Sequence, residues 1–107
     1  MNYEFMRIIV FFDLPVKTKK DRKVYTTFRK YLIEQGYMML QYSVYCKLSN
    51  NRDASKQHID NVKRNTPQKG HVRIMLLTEK QFSNMIIVIG GKSFQEHMIT
   101  IEPLMII

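Results

Sequence analysis

The alternation of apolar and polar residues along the chain predicts short strands separated by helices. Residues 8–12 are five consecutive large apolar residues, a run typical of a central strand that is buried on both faces. The run ends at Asp13, and Pro15 stops strand pairing because proline donates no backbone hydrogen bond. Asp13 is therefore predicted to lie at the C-terminal end of a buried strand, where active sites of open α/β sheets are often found.

Two helices are predicted from caps and helical spacing. The first begins at Thr18, as the N-cap, and runs to about Gln35, where Gly36 ends it. Its residues predicted to face the core are Val24, Phe28, Tyr31 and Leu32. A weaker second helix follows the loop signal at residues 49–53 and reaches about Asn65, with Ala54, His58, Ile59 and Val62 facing inward.

Residues 37–48 form a β-rich stretch that is long for a single strand. Polar Gln41 and Ser43 interrupt its middle, which indicates either one bulged strand or two short strands joined by a tight turn. The pattern leaves both interpretations open. A hydroxyl at such an irregularity usually satisfies a backbone group, so Ser43 is interpreted as structural rather than as a nucleophile.

The last third of the chain is predicted to be mostly strand. Residues 71–78 form a strand, Thr78 caps a single helical turn, and residues 85–89 form a fully apolar strand that ends at Gly90. Residues 97–107 end the chain in apolar positions and predict a C-terminal strand that pairs with a second copy or another partner. The alternative is that this tail folds onto the chain's own sheet.

Size and charge favour one nucleic-acid-binding domain. The chain has 107 residues, which suits a single domain over residues 1–107. Its 17 Lys and Arg against 9 Asp and Glu give a net charge of +8, which indicates a polyanionic partner such as nucleic acid or an anionic membrane surface. No stretch approaches the ~20 apolar residues of a membrane span. No membrane contact is therefore expected, and because a signal peptide is not evident, a cytoplasmic location is predicted.

Cysteine and histidine offer little candidate chemistry. Cys46 is the only cysteine, which excludes an internal disulfide and a cysteine-based zinc site, and its apolar surroundings indicate a core residue. His58 and His71 are not spaced as a metal-binding pair on one element. Both are expected to be surface or half-buried polar residues.

Five cations crowd the start of the first predicted helix: Lys17, Lys19, Lys20, Arg22 and Lys23. A helix N-terminus prefers negative charge, so the cluster lies where it reduces helix stability. Free backbone amides at the same place bind anions. We therefore interpret this cationic cluster as a phosphate-binding surface rather than a solvated basic face, and Arg52, near the second helix, is assigned to the same role.

Two modes of nucleic-acid binding are compatible with these residues. The cationic cluster, doubled by a two-fold axis, would follow the phosphates of a duplex without reading its sequence. Tyr25, Tyr42 and Tyr45 would instead stack on the bases of a single strand. The Lys/Arg-Gly-Phe signature of RNA-recognition domains is absent, so duplex binding is the better fit.

The predicted order is strand, helix, one or two strands, helix, strand, strand and a trailing strand. This is a ferredoxin-like α+β plan, with a mostly antiparallel sheet and two helices on one face. Residues 8–15 (Ile-Ile-Val-Phe-Phe-Asp-Leu-Pro), 41–45 (Gln-Tyr-Ser-Val-Tyr) and 85–90 (Met-Ile-Ile-Val-Ile-Gly) add specific motifs to the plan. With them the chain closely resembles the small CRISPR-associated endonuclease of the adaptation module, the second of the Cas proteins, in the longer form found beside type II effector systems.

The resemblance implies a homodimer in which first-strand aspartates of the two copies face each other and bind a divalent metal, usually Mg²⁺. Asp13 matches that position, as metal ligand and catalytic residue. The implied activity is that of a metal-dependent endoribonuclease or a nuclease of double-stranded DNA. The resemblance also implies a bridge between two dimers of the CRISPR integrase, in which C-terminal strands pair across subunits or with the integrase.

Several functions therefore stay open. In the first, the protein is a metal-dependent nuclease that uses Asp13, although a carboxylate ahead of Pro15 is also typical of a turn cap. In the second, it is a non-catalytic DNA-binding scaffold for spacer integration. A third is a toxin-like endoribonuclease of the same fold.

Overall fold

The structure, a computed structural model, describes residues 4–90, which fold into one antiparallel sheet and three helices. In chain order the elements are β1 (Met6–Asp13), α1 (Lys19–Glu34), β2 (Met38–Gln41), β3 (Val44–Ser49), α2 (Arg52–Arg64), β4 (His71–Thr78) and α3 (Glu79–Ser83). The predicted C-terminal strand at residues 97–107 lies outside the described residues.

The sheet has the strand order β2-β3-β1-β4, and every neighbouring pair is antiparallel. β1 lies in the centre, between β3 and β4, as its continuous apolar run predicts. The helices α1 and α2 each connect strands that are not adjacent in the sheet, which gives two interleaved β-α-β units. The ferredoxin-like α+β prediction is therefore confirmed.

The core lies between α1, α2 and one face of the sheet. Its buried residues include Ile8, Val10, Phe12, Phe28, Leu32, Tyr45 and Val62. Phe12 packs edge-on against Phe28 of α1, with 5.2 Å between ring centroids. Full burial of each such side chain stabilises the fold by about 1.5–3 kcal/mol, so both helices are fixed on this face by their apolar residues.

Both long helices begin and end as predicted. The Thr18 hydroxyl accepts a hydrogen bond from the Asp21 amide at 3.0 Å, and the Asp21 carboxylate accepts one from the Thr18 amide. Gly36, with φ of +92°, follows the C-cap of α1. The side chain of Asn51 caps α2 by accepting from the Ala54 amide at 2.8 Å.

One inward position of α1 was predicted wrongly. Val24 is 40% exposed, whereas Phe28 and Leu32 are buried and Tyr31 is half-buried against the core. The reason is an open groove between α1 and residues 65–67, which follow α2, and Val24 lines this groove. The spacing of apolar residues identified the right helical face but not where the facing element stops.

The stretch at residues 37–48 is two strands, and both irregularities that were left open are present. β2 and β3 are joined by a tight turn in which Ser43 takes a left-handed conformation, with φ of +64°. The register between them also shifts between Met39 and Gln41, as in a bulge. The turn is tied to the central strand because the Phe12 amide donates to the Ser43 carbonyl at 3.1 Å.

The strand predicted at residues 85–89 is wrong. These residues follow α3 without forming a strand, and Ile86, Val88 and Ile89 are 84–90% exposed. Met85 and Ile87 instead line a groove with Ile9 on the sheet face opposite the helices. An apolar run forms a strand only when a neighbouring strand pairs with its backbone hydrogen-bonding groups. In the described part of the chain, no strand pairs with residues 85–89.

Helix α3 is attached to β1 by a charged pair at the start of that strand. The Arg7 guanidinium donates to both carboxylate oxygens of Glu79, at 2.6 and 3.1 Å, and lies 4.5 Å from the centre of the Phe82 ring. Burial alone would lower the pKa of Arg7, but the hydrogen bonds and charge interactions with Glu79 and Cys46 together outweigh that effect, and the pKa is raised. Thr78 caps α3, as predicted. Among residues 4–90, no helix is long and apolar enough to cross a membrane.

Candidate active site and nucleic-acid surface

Asp13 is the last residue of the central strand, and its side chain is exposed. Within residues 4–90 its carboxylate has neither a hydrogen bond nor an ion pair, so it does not cap the turn ahead of Pro15. The backbone on either side is fixed, because β1 pairs with β4 as far as Asp13 and the next residue, Leu14, is buried. A rigid strand thus presents an uncommitted carboxylate.

Two basic side chains of β4 flank this carboxylate. His71 is the direct cross-strand partner of Asp13, and Arg73 is the partner of Phe11. Directly paired residues of an antiparallel sheet point to the same face, and residues two apart along a strand do so as well. Asp13, His71 and Arg73 therefore share the face opposite the helices, and together with Phe11, Phe12, Ser43 and Val44 they line a shallow groove of about 400 Å³.

Gly70 allows His71 to lie beside Asp13. It has φ of +93°, and a Cβ atom at this position would lie 2.7 Å from the Asp13 carbonyl oxygen and 2.8 Å from a methyl of Leu14. Only glycine accommodates both this backbone conformation and this approach. The contact between the start of β4 and the end of β1 thus depends on the absence of a side chain at Gly70.

A metal ion fits this site only in part. Mg²⁺ prefers oxygen ligands such as the Asp13 carboxylate. Within the described part of the chain, no three His, Cys, Asp or Glu side chains are grouped closely enough to hold a metal. Glu79 is committed to Arg7 at the opposite end of β1. A second carboxylate for the site would therefore have to come from outside residues 4–90.

The remaining ionisable groups are remote or structural. His58 is half-buried, as predicted, and its pKa is lowered by burial and by the charge of Lys47. Cys46 is buried, as predicted, and its sulfur lies 3.8 Å from an Arg7 nitrogen. The buried Tyr37 hydroxyl has no hydrogen-bond partner among residues 4–90, and burial raises its pKa above the usual value. None of these groups lies in the groove at Asp13.

The cationic cluster lies at the same end of the sheet as Asp13, because α1 begins shortly after β1 ends. Its five members are Lys17, Lys19, Lys20, Arg22 and Lys23, and the four lysines and the arginine are all exposed. Arg22 donates to the carbonyl oxygens of Val16 and Lys17, at 3.3 and 3.1 Å, and so closes the loop that leads into α1. Asp21, the acid among them, is engaged in the helix cap. The cluster therefore keeps its positive charge free for an external anion.

Arg52 lies away from this cluster. It begins α2 directly after β3, and the last residue of β3, Ser49, pairs with Met6 at the first position of β1. Asp13 is at the other end of β1, and eight residues of strand span roughly 25 Å. The structure thus separates Arg52 from the five cations around the start of α1.

His71 and Arg73 are candidate site residues that sequence reasoning did not assign. They follow Asp13 by about 60 positions, and only the pairing of β1 with β4 brings them together. The signal present in the sequence was weak: a strand begins directly after Gly70, and basic residues occupy alternate positions at its start. Alternation places these two side chains on one face, but it does not identify the neighbouring strand.

Comparison with known proteins agrees with this architecture. The family described as CRISPR associated protein Cas2 matches residues 6–85. A protein of Acidovorax ebreus named CRISPR-associated endoribonuclease Cas2 is 47% identical over 91 residues, which is 85% of this chain and 89% of that protein. Proteins of the same name from Treponema denticola and Streptococcus mutans are 44% and 45% identical, over 95% and 81% of this chain and 100% and 80% of their own lengths. The chain belongs to the CRISPR-associated Cas2 family.

Proposed function

We propose that this protein is an endonuclease of CRISPR adaptation in which Asp13 is both the metal ligand and the catalytic carboxylate. The observation that carries the proposal is an exposed, uncommitted carboxylate at the rigid end of the central strand, in a chain whose relatives are named endoribonucleases. The bond to be broken is a phosphodiester. The chemistry that Mg²⁺ supplies when bound is Lewis-acid polarisation of the scissile phosphate.

The chain's own residues account for holding the substrate at this site. Arg73, two residues along β4 from His71, offers a guanidinium that pairs with a phosphate oxygen. His71 offers an imidazole whose ring nitrogens donate or accept a hydrogen bond. Asp13 lies beside both, and Phe11 forms the apolar floor of the groove. The groove is thus suited to one phosphate of a nucleic-acid strand.

The proposal includes a homodimer, because residues 4–90 supply one carboxylate to this site and a metal ion needs more ligands. Exposed Ile86, Val88 and Ile89 support self-association, since contiguous apolar surface of this kind is unusual on a monomer. In the described residues β4 is also an edge strand, with one side free to pair. Two copies would bring together two Asp13 carboxylates and two cationic clusters.

The cationic cluster supports duplex binding and a role in spacer integration. Four lysines and one arginine at the start of α1 contact phosphates without reading bases, so binding should be independent of sequence and weakened by salt. In this proposal the protein holds double-stranded DNA between two integrase dimers, and its C-terminal residues contact the integrase. The proposed scaffold and nuclease roles use different residues.

The test replaces Asp13 with Asn, which keeps the shape of the side chain and removes its charge. We expect cleavage of labelled single-stranded RNA and of duplex DNA with Mg²⁺ to fall about 100-fold or more. Asp53→Asn is the matched control, because Asp53 is exposed near the start of α2 at the other end of the sheet. Undiminished cleavage by the Asp13→Asn protein would refute the catalytic assignment.

A second candidate, the non-catalytic scaffold, is favoured by the presence of a single carboxylate in the groove. It predicts that Asp13→Asn leaves duplex binding and spacer integration unchanged. Replacement of Lys19, Lys20 and Lys23 by Gln would then weaken both, with cleavage measured in parallel on a short RNA. Loss of integration in the Asp13→Asn protein would refute the scaffold as the sole function.

A further inference from the structure

An aromatic ladder leads from the core to the surface on the helix side of the sheet, at the end of β1 that holds Asp13. Phe12 of β1 contacts Tyr25 of α1, with 5.8 Å between ring centroids. Tyr25 in turn stacks on Tyr42, with 6.3 Å between centroids and 23° between ring planes. Tyr42, in the turn between β2 and β3, is 73% exposed. The ladder thus ends in a ring that is supported on one side and open to solvent.

The position of the Tyr42 ring is fixed by more than stacking. The interaction of its hydroxyl with Tyr25 raises the pKa of Tyr42 above its ordinary value. The next residue, Ser43, holds the turn in a left-handed conformation and is tied to Phe12 through the backbone. An exposed tyrosine is normally free to rotate, so a ring held this way loses little entropy when something binds to it.

The ladder lies between the two charged surfaces already described. Ser43, adjacent to Tyr42, lines the groove that contains Asp13 and Arg73. On α1, Arg22 and Arg29 are three residues before and four residues after Tyr25, and residues at these spacings share a helical face. An open aromatic face therefore lies on the helix side of the sheet, near cations of α1 and at the same end of the sheet as the groove suited to one phosphate.

We propose that Tyr42 is the stacking platform for an unpaired nucleobase of a strand that passes the end of the sheet at Asp13. The inference rests on the proposed phosphodiesterase function and gives that site a substrate class, a single strand. A base in a duplex is stacked on both sides and cannot offer a face to the ring, whereas an unpaired base can. Duplex DNA then uses the cationic cluster alone, and single strands use the ring as well.

The first test measures binding without cleavage. A fluorescein-labelled single-stranded RNA of about 12 nucleotides and a blunt duplex of about 20 base pairs are titrated with protein in EDTA at fixed salt. We expect Tyr42→Ala to weaken binding of the single strand about tenfold and to leave duplex binding within about twofold. Tyr42→Phe and Tyr42→Trp keep the stacking face and should bind as the unchanged protein does. Ile33→Ala is the matched control: it removes an exposed apolar side chain of α1 rather than of the turn, and should have no effect.

A second arm identifies the base as the contacted group. Single strands that carry one abasic position, moved along the oligonucleotide, should bind the unchanged protein more weakly at one register and the Tyr42→Ala protein equally at all registers. Equal weakening of single strand and duplex, or no dependence on the abasic position, would overturn the proposal. So would a change of sedimentation by Tyr42→Ala, because the ring would then contact a second copy.

The two proposals fail in different ways. Binding in EDTA does not require metal or cleavage, so a base-dependent loss in Tyr42→Ala stands even if the Asp13→Asn protein remains active. Conversely, if the Asp13→Asn protein loses cleavage and the Tyr42→Ala protein has no binding defect, the catalytic role of Asp13 is supported and the stacking role of Tyr42 is refuted.

Discussion

The Tyr37 hydroxyl is a buried polar group that has no hydrogen-bond partner in the structure. Such a group carries a desolvation penalty of about 1–3 kcal/mol. We therefore predict that Tyr37→Phe raises the free energy of unfolding by about 1 kcal/mol, measured by urea denaturation. Tyr45→Phe is the control. Tyr45 is as buried as Tyr37, but its hydroxyl is not among the buried polar atoms that lack a hydrogen-bond partner. A destabilised Tyr37→Phe protein would show that the hydroxyl has a partner after all.

Gly70 is the residue on which the geometry at Asp13 depends most. Gly70→Ala should lower the free energy of unfolding by about 2–4 kcal/mol, because it combines an unfavourable backbone conformation with a clash against the Asp13 backbone. Gly90→Ala is a matched control: Gly90 has φ of +105° but no atom within 4 Å of an added Cβ. Chemical denaturation of both variants separates the cost of the backbone conformation from the cost of the clash. An equal loss of unfolding free energy in the two variants would exclude the clash.

At the scale of single residues, the position of Asp13 was predictable and its surroundings were not. An apolar run that stops at a carboxylate is visible in the sequence, so the strand end was correctly located. The identity of the facing residues, His71 and Arg73, depends on which strands pair and in which register. Register is set by packing across the whole sheet, and no local pattern near Asp13 contains it.

Helix α3 is held to β1 in part by the ion pair between Arg7 and Glu79. The Arg7 side chain is 10% exposed and Glu79 is 43% exposed, so removal of the acid leaves a mostly buried cation without its partner. We predict that Glu79→Ala lowers the free energy of unfolding by about 2 kcal/mol. The double substitution Arg7→Met with Glu79→Ala should recover part of the loss in a double-mutant cycle. No recovery would show that the pair is not coupled.

Among the elements, those with local signals were predicted well. Thr18, Gly36 and Asn51 each define a helix end by a hydrogen bond or a backbone conformation that involves near neighbours only. Residues 85–89 have the composition of a strand, but composition cannot show whether a neighbouring strand exists. Val24 likewise has a core-facing spacing over a groove that no element fills. The wrong predictions concern residues whose strand pairing or burial depends on distant parts of the chain.

For the whole molecule, the separation of Arg52 from the cationic cluster gives a test of how a duplex is bound. Replacing Lys19, Lys20 and Lys23 by Gln should reduce the slope of log binding constant against log salt concentration by about 0.9 for each phosphate that is no longer neutralised. Arg52→Gln should leave this slope unchanged, because Arg52 lies at the other end of the sheet. Fluorescence anisotropy over a series of salt concentrations measures both. A lower slope for Arg52→Gln would mean that the duplex extends along the entire sheet.

The helix cap at Asp21 has a practical consequence for handling the protein. Since this acid is engaged with its own backbone, the lysines and arginine around it repel one another with little internal compensation. Dissolved ions shield that repulsion. Concentrated sodium chloride should therefore raise the melting temperature of the free protein, although the same buffer strips away bound nucleic acid. We therefore expect the protein to be most stable when it is purified at high sodium chloride concentration and dialysed to low salt only shortly before use.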